Sequence, residues 1–500
     1  MLPRREIIAL LFFGAAIFAC ASTGPIISAN PNASFATGNA YLQQGVPLLL
    51  EYHSLTTGDS RQRFAYPQRN YEFRSATQKF NASVDRLQMG ADIDLNASLF
   101  TMFTDGGDAA FGSAPADYIL PGFSAGISAA GYADSLDFDF NAALYVERHD
   151  IENPHTLDHQ ETGWVLWDHD GGDVINYKRM QGHFGLNYAW LRLEMGRDAL
   201  HWGPGFYNNL TLNRQAVPYG YFSVDMVFGP LRVISFYGSL EIDSVGSKKH
   251  SDNTRNLYGH RYEIALGNAT FGMSEIQVIY NNNNAWLLVP VFPQFIEKGN
   301  YTELSNNGAV AFDVNYRILR IARIYSEFYI EDLDSPISLI ENKYVNTEWA
   351  WLAGAQFSHD FSFKSHNIKI GSIFEYARVD QRVYAHFFPN EAQMANAGFP
   401  LGYQLGPNSQ SIDWTLYSML TESFFIGLRN LWFWKGNVYG SDLNGYWEPG
   451  EKKLKEFLRG GKMYYTLTPM LVYGTERWQC TGMLSFFTDK KGMLNFSMSL

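Results

Sequence analysis

From Leu136 to Val146 the chain alternates: Leu136, Phe138, Phe140, Ala142, Leu144 and Val146 share one register, and Asp137, Asp139, Asn141, Ala143 and Tyr145 the other. A helix would scatter these residues round its circumference, whereas a strand sorts them onto two faces. The pattern returns at Val310, Phe312, Val314, Tyr316 and Ile318, set against Ala311, Asp313, Asn315 and Arg317. Trp349, Trp351, Ala353, Ala355 and Phe357 repeat it, as do Ile368, Ile370, Phe374 and Tyr376. So do the closing residues Leu494, Phe496, Met498 and Leu500. Soluble sandwiches alternate too, so period two alone leaves the class open. Length narrows it: the segments run to about ten residues, the span a tilted membrane strand needs. Aromatics cluster near their ends, as at Trp349 and Trp351. The expected fold is all-β, a transmembrane antiparallel β-barrel of about 18 strands.

Composition strengthens this reading. Aromatic residues make up 16% of the chain, glycines number 44, and charged residues fall to 18%. Girdles, tight turns and an uncharged lipid face call for that mixture. The longest apolar run, Trp286 to Ile296, is short and holds Pro290 and Pro293, so a membrane-spanning helix is not expected. A net charge of −12 argues against nucleic acid as a partner.

The N-terminus reads as an export signal. Arg4 and Arg5 precede an apolar stretch from Ile7 to Phe18, and Ala19-Cys20-Ala21 offers a small-x-small cleavage pattern. Cleavage after Ala21 is one reading; lipid attachment to Cys20 in Ile17-Phe18-Ala19-Cys20 is the other. The remaining cysteine, Cys480, has no intramolecular partner in a mature chain. The expected organisation is a signal peptide over residues 1–21, a short periplasmic or plug segment over 22–90, and the barrel over 91–500.

Candidate chemistry is sparse. The connection from Arg148 to Asp173 carries His149, His155, His159 and His169 with several Asp, but its spacing matches no metal signature. Neither a metal nor a cofactor is expected. Trp447 to Lys462 reads as a short charged helix ended by Gly460-Gly461. Arg323, Tyr325, Glu327, Tyr329 and Glu331 form the polar face of one strand, opposite Ile324, Phe328 and Ile330. Aromatic rings offer flat faces to sugar C–H groups, while carboxylates and Arg bond hydroxyls or acidic substituents. A charge-paired lumen wall accounts for the same row. Glycoside hydrolysis does not fit, because Glu327 and Glu331 lie ~13 Å apart along a strand, too far for an acid–base pair. No nucleophile triad or phosphate loop appears, and catalysis is not expected.

Two stretches carry a resemblance. Gly196-Arg-Asp-Ala-Leu-His-Trp-Gly-Pro-Gly205 leads into Leu210-Thr-Leu-Asn-Arg-Gln-Ala-Val-Pro218. Phe374-Glu-Tyr-Ala-Arg-Val-Asp-Gln-Arg-Val-Tyr-Ala-His386 precedes Gly398-Phe-Pro-Leu-Gly402 and Leu405-Gly-Pro-Asn408. Together with Ser326-Glu-Phe-Tyr-Ile-Glu-Asp332, these resemble the Wzi capsule-assembly family of bacterial outer-membrane barrels. The resemblance implies a non-enzymatic lectin in the bacterial outer membrane that helps assemble or anchor capsular or other surface polysaccharide. Its expected partners are that polysaccharide and outer-membrane lipid. The glycan-facing candidates, from the motifs and the polar row, are Arg197, Trp202, Arg214, Tyr325, Glu327, Tyr329, Glu375, Tyr384 and His386. Gly203, Pro204, Gly205, Gly402 and Gly406 are expected as turn residues. A porin-like diffusion channel is the alternative. The chain departs from the family pattern in two places: residues 22–90 do not read as a helical bundle, and the last residue is Leu500 rather than an aromatic.

Overall fold

The computed structural model describes residues 78–499, apart from 85–86, 105–106, 110–111, 115–117, 134–135, 151–173, 214–215, 217, 242–253, 282–284, 291–305, 319–320, 333–335, 364–365, 388–390, 397–398, 422–423, 444, 446, 449–450, 475–478 and 488–491. The expected signal peptide, the histidines of the 151–173 connection, Arg214 and Leu500 lie outside the described residues.

Nineteen strands build one antiparallel sheet: a short one, Gln78–Val84, and eighteen that pair in chain order. The first nine are β1 (Leu87–Thr104), β2 (Tyr118–Ala133), β3 (Leu136–Asp150), β4 (Val174–Tyr188), β5 (Leu191–Asp198), β6 (Tyr219–Phe228), β7 (Leu231–Leu240), β8 (Arg255–Leu266) and β9 (Ala269–Tyr280). The rest are β10 (Asn306–Ile318), β11 (Ala322–Asp332), β12 (Glu348–Phe363), β13 (His366–Val379), β14 (Ser409–Thr421), β15 (Phe424–Lys435), β16 (Lys462–Gly474), β17 (Gln479–Phe487) and β18 (Gly492–Ser499). Each pairs with its successor in the chain. The ladder returns to its start where β18 pairs with residues 98–104 of β1. The lower part of that same β1 edge, residues 87–93, is taken by the short strand, Gln78–Val84.

The connections alternate in length. Turns of two residues, such as Ala189-Trp190, Gly229-Pro230 and Gly267-Asn268, sit at one end. The connections 199–218, 241–254, 281–305, 333–347, 380–408 and 436–461 sit at the other. Outer-membrane barrels carry short turns on the periplasmic side and long loops outside, which makes the long-loop end extracellular.

Burial is inverted relative to a soluble protein. Met195, Phe222, Phe271, Phe312, Ile324, Phe357, Phe374 and Trp414 are exposed on the outer wall, while Arg192, Asp225, Arg261, Asp313, Glu327, Glu375 and Asp413 are buried within. Strand alternation places the two sets on opposite faces. An apolar exterior is stable only against lipid, and charged groups are kept from lipid by the wall itself. β11 shows the rule along its length: Arg323, Tyr325, Glu327, Tyr329 and Glu331 face in and are buried, and Ile324 faces out. Among the described residues no helix is long and apolar enough to cross a membrane.

The helix expected over Trp447 to Lys462 is not formed. Instead, Val345 and Lys455 donate backbone N–H bonds to the carbonyls of Lys453 and Lys343, at 3.0 and 2.9 Å. Tyr344 and Leu454 form a bridge, and only residues 457–460 turn. Pairing with a neighbouring segment has overridden the helical propensity of the Lys- and Glu-rich run.

Candidate functional site

The 199–218 connection leaves β5 at Asp198, rejoins the wall at Tyr219, and folds into the lumen between. Trp202 bridges to Leu212 through a 3.0 Å N–H···O bond, which closes the intervening residues into a compact loop. Gly203 stands at the turn with φ of 132°, where a side chain would meet Asn209 and Glu327. Gly205 donates its N–H to Asn209 Oδ1 at 2.8 Å, and Pro204 beside it is buried. Gly203 and Pro204 form a bend, and Gly205 follows it.

Two wall carboxylates grip this loop by its backbone. Glu375, on β13, accepts the N–H groups of Phe206, Tyr207 and Asn208 at 2.5, 3.1 and 3.1 Å. It also accepts the Asn208 side-chain amide at 3.1 Å and the Tyr325 hydroxyl at 2.8 Å. Glu327, on β11, accepts the N–H groups of Leu210 and Thr211 at 2.8 and 2.9 Å and the Thr211 hydroxyl at 2.6 Å. Successive amides aimed at one anion form a nest, and here the anion is the protein's own side chain.

The loop reaches almost from wall to wall. Trp202 packs edge-on against Phe236 of β7, with ring centroids 5.0 Å apart. On the far side the Tyr207 hydroxyl meets Thr415 Oγ1 of β14 at 2.6 Å, and the Arg429 guanidinium of β15 lies 4.3 Å from the Tyr207 ring centre. In a ring of eighteen strands, β7 and β15 stand nearly opposite.

The 380–408 connection completes the filling. The Tyr384 hydroxyl donates to the Leu210 carbonyl at 2.7 Å and accepts the Tyr403 N–H at 3.0 Å, and the Tyr384 N–H donates to Glu331 at 2.6 Å. Asn213 donates its N–H to the Leu401 carbonyl at 2.8 Å. Gly402 lies so close to this loop that a Cβ there would come within 2.0 Å of the Leu210 carbonyl oxygen. Gly406 takes a left-handed φ of 64° at the next turn. Burial raises the pKa of the Tyr207 and Tyr384 phenols, which keeps both as neutral hydrogen-bonding groups.

The candidates therefore divide by burial. Trp202, Tyr325, Glu327, Tyr329, Glu375 and Tyr384 converge on the loop and are sealed from solvent, with both carboxylates bonded to loop amides. As folded, they position the loop rather than face a glycan. Arg197 and His386 keep partial exposure: Arg197 pairs with Glu241 at 2.9 Å, and His386 lies against Phe387 with ring centroids 4.1 Å apart.

An aromatic and charged cluster at the extracellular end escaped the sequence reading. The Arg382 guanidinium lies 4.8 Å from the Tyr439 ring centre and 4.5 Å from that of Trp447. Lys453 Nζ sits 3.7 Å above Tyr439 and pairs with Glu451 at 2.8 Å. Arg382 comes from the 380–408 connection and the others from 436–461, so no local motif announces the cluster. The ligand-type cluster of Asp139, His183 and Glu194 at the periplasmic end is crossed by Arg192, which bonds both carboxylates. That arrangement is an ion-pair knot in place of a metal cradle.

No family model matches the chain, and no curated protein matches it. Among solved structures, it superposes on Wzi of Escherichia coli with a TM-score of 0.51 at 12% identity, covering 81% of this chain and 84% of that one. The fold is that of a Wzi-like outer-membrane barrel. That protein is described as an outer-membrane protein involved in group 1 capsule assembly and a carbohydrate-binding β-barrel. OccK8 (OprE) of Pseudomonas aeruginosa gives a TM-score of 0.44 at 9% identity, over 82% of this chain and 97% of its own. A BenF-like porin from Pseudomonas fluorescens gives 0.43 at 9% identity, over 82% and 98%. The Wzi-like fold agrees with the lipid surroundings that the inverted burial requires.

Proposed function

We propose that this barrel binds capsular or other surface polysaccharide at its extracellular end and helps to assemble or anchor it there. The observation that carries this reading is the 199–218 loop, bonded to walls nearly opposite one another across the lumen. A filled lumen suits a platform for a surface polymer better than a conduit for small solutes. Carbohydrate binding by a barrel of like fold supports the same direction. On this reading Glu327 and Glu375 are positioning residues, and glycan contact falls to groups with solvent access. Arg197 and His386 are the first candidates, and the cluster of Tyr439, Glu451 and Lys453 supplies a second set, since rings and charges together suit sugar faces and acidic substituents. No catalysis is assigned. Export follows the signal peptide over residues 1–21, and N-terminal sequencing of the mature chain distinguishes cleavage after Ala21 from lipid on Cys20.

The test is binding of purified capsular polysaccharide to the reconstituted protein, with Lys453→Ala and His386→Ala as weakened variants. Deleting the gene should shift polysaccharide from the cell surface to the medium. Unchanged retention in cells that normally express the protein would overturn the proposal. The porin reading is tested separately, since a steady open conductance across a planar bilayer would favour it.

A further inference from the structure

The extracellular rim over β11–β13 carries an apolar surface that the polysaccharide reading leaves unused. A short helix, α1 (Pro336–Glu341), ends at Asn342, whose N–H donates to the Ser338 carbonyl at 2.7 Å and whose φ of 42° stops the helix. Ile337 and Ile340, one turn apart, are 64% and 86% exposed. Beside α1, the ribbon pairing 343–345 with 453–455 leaves Leu454 59% exposed. For a soluble surface this is an unusual concentration of large aliphatics.

The side of the wall these segments occupy decides the meaning. Ala350 and Leu352 of β12 are buried and Trp351 is exposed, so Trp349 faces outward with Trp351. The Trp349 indole N–H donates to Asn342 Oδ1 at 3.0 Å, and its ring packs 5.8 Å from that of Phe328. Arg378 of β13 faces outward too, between buried Ala377 and Val379. Its guanidinium lies 5.0 Å from the Trp349 ring centre and 3.9 Å from that of Phe457. The end of α1 and the Phe457 ring are thus tied to outer-wall residues at the rim, while Glu456 and Leu458 donate backbone N–H bonds to Gln381 and Asn408 at 2.7 and 2.8 Å. Lys455 turns inward, pairing with buried Asp380 and bonding Asn342 Oδ1 at 2.5 Å and the Thr347 carbonyl at 2.6 Å. Strand alternation therefore points its neighbour Leu454 outward.

We infer that α1 and the 453–457 segment form a lipid-contacting collar, which sets Ile337, Ile340 and Leu454 into the acyl–headgroup boundary of the outer leaflet. The collar continues the lipid-facing belt of Ile324, Trp351 and Phe374 on the strands below it. Trp349 and Arg378 lie at the height where aromatic and cationic side chains favour a membrane interface. Exposed Lys343 flanks the apolar residues, where lipid phosphates would meet it. The occupant is lipid because the apolar surface is continuous with a wall that already requires lipid.

The test labels single cysteines with an environment-sensitive fluorophore, in a background with Cys20 and Cys480 replaced by serine. The protein is reconstituted in phosphatidylcholine vesicles with brominated acyl chains. Ile340→Cys and Leu454→Cys are compared with Phe312→Cys on the lipid belt and Lys452→Cys on an exposed loop. Shifted mobility of unheated samples on gels confirms folding of each variant. The collar predicts quenching by bromolipid within about twofold of Phe312→Cys, with little quenching by aqueous iodide, as for side chains ~5–10 Å into the interface. Iodide quenching at both collar positions equal to that at Lys452→Cys would overturn it. Shielding from both quenchers, with label-to-label energy transfer, would also overturn it by assigning the surface to a second copy.

Discussion

The barrel wall and the seat of the 199–218 loop neutralise buried carboxylates in different ways. Between neighbouring strands, side chains pair charge with charge. Arg192 bonds Asp139 and Glu194, Arg232 bonds Asp225 and Glu263, and Arg261 bonds Glu263 and Asp313. Level with Asp313 and Asp413 in the ladder, Glu327 and Glu375 instead accept backbone amides from a loop that is not part of the wall. The first arrangement ties strand to strand and holds the ring. The second ties the ring to what fills it. A buried ion pair costs desolvation on both partners and is expensive to break, whereas amide bonds to one carboxylate fix a loop's position without a counter-cation.

The largest effect should come from the strand-to-strand pairs. Arg261→Met leaves Asp313 and Glu263 without their shared cation and should cost about 3–5 kcal/mol of barrel stability. Denaturant unfolding in vesicles measures it. Because Arg261 touches no part of the 199–218 loop in the bonds that hold that loop, the variant should remain closed to ions in a planar bilayer. An open channel in Arg261→Met would break the division between wall and loop seat.

Glu375→Ala addresses the loop seat. Three backbone amides lose their acceptor in a buried site, and the expected loss is about 3 kcal/mol, concentrated in the loop. Conductance should rise, and protease should gain access to residues 203–211, while the strand ladder survives. If stability falls with no gain in conductance or cleavage, the loop is held by packing around Trp202 and Tyr207 instead. Gly402→Ala is a gentler probe of the same seat. Its Cβ would press within 2.0 Å of the Leu210 carbonyl oxygen and 2.6 Å of the Tyr384 hydroxyl. A loss of about 1–3 kcal/mol is expected, with smaller changes in conductance than Glu375→Ala.

The wall was far more legible in the sequence than the filling. Period two predicted that Arg323 to Glu331 would place its polar side chains together, and β11 does so, because lipid outside leaves a strand no choice of face. Strand number followed from the same signal. A turn at Gly203-Pro204-Gly205 was expected from backbone chemistry alone. Its destination was not, since the bonds from Glu375 to Phe206 join residues 169 positions apart. Nor could residue type separate a glycan-facing Glu from one that accepts amides, because both tasks want a carboxylate. The missing helix at Trp447 to Lys462 has the same origin: its competitor is the 343–345 segment, about a hundred residues away.

The smallest effect tests whether the extracellular cluster depends on a third way of holding a carboxylate. Glu451, on an exposed loop, has its pKa held below the ordinary 4.5 by Lys453 and then by the Tyr439 hydroxyl. A carboxylate whose pKa is depressed by folding stabilises the fold fully above the unfolded value, and that contribution is lost as pH falls through the folded one. Ordering of the 437–455 connection should therefore be constant from neutrality down to about pH 5 and weaken below 4. Amide exchange, corrected for its intrinsic pH dependence, should show protection of this connection falling in that window. Glu451→Gln should remove the step and leave the protection of residues 203–211 unchanged. A step that persists in Glu451→Gln would assign it to another acid, and one that spreads to 203–211 would couple this cluster to the loop held by Glu327 and Glu375.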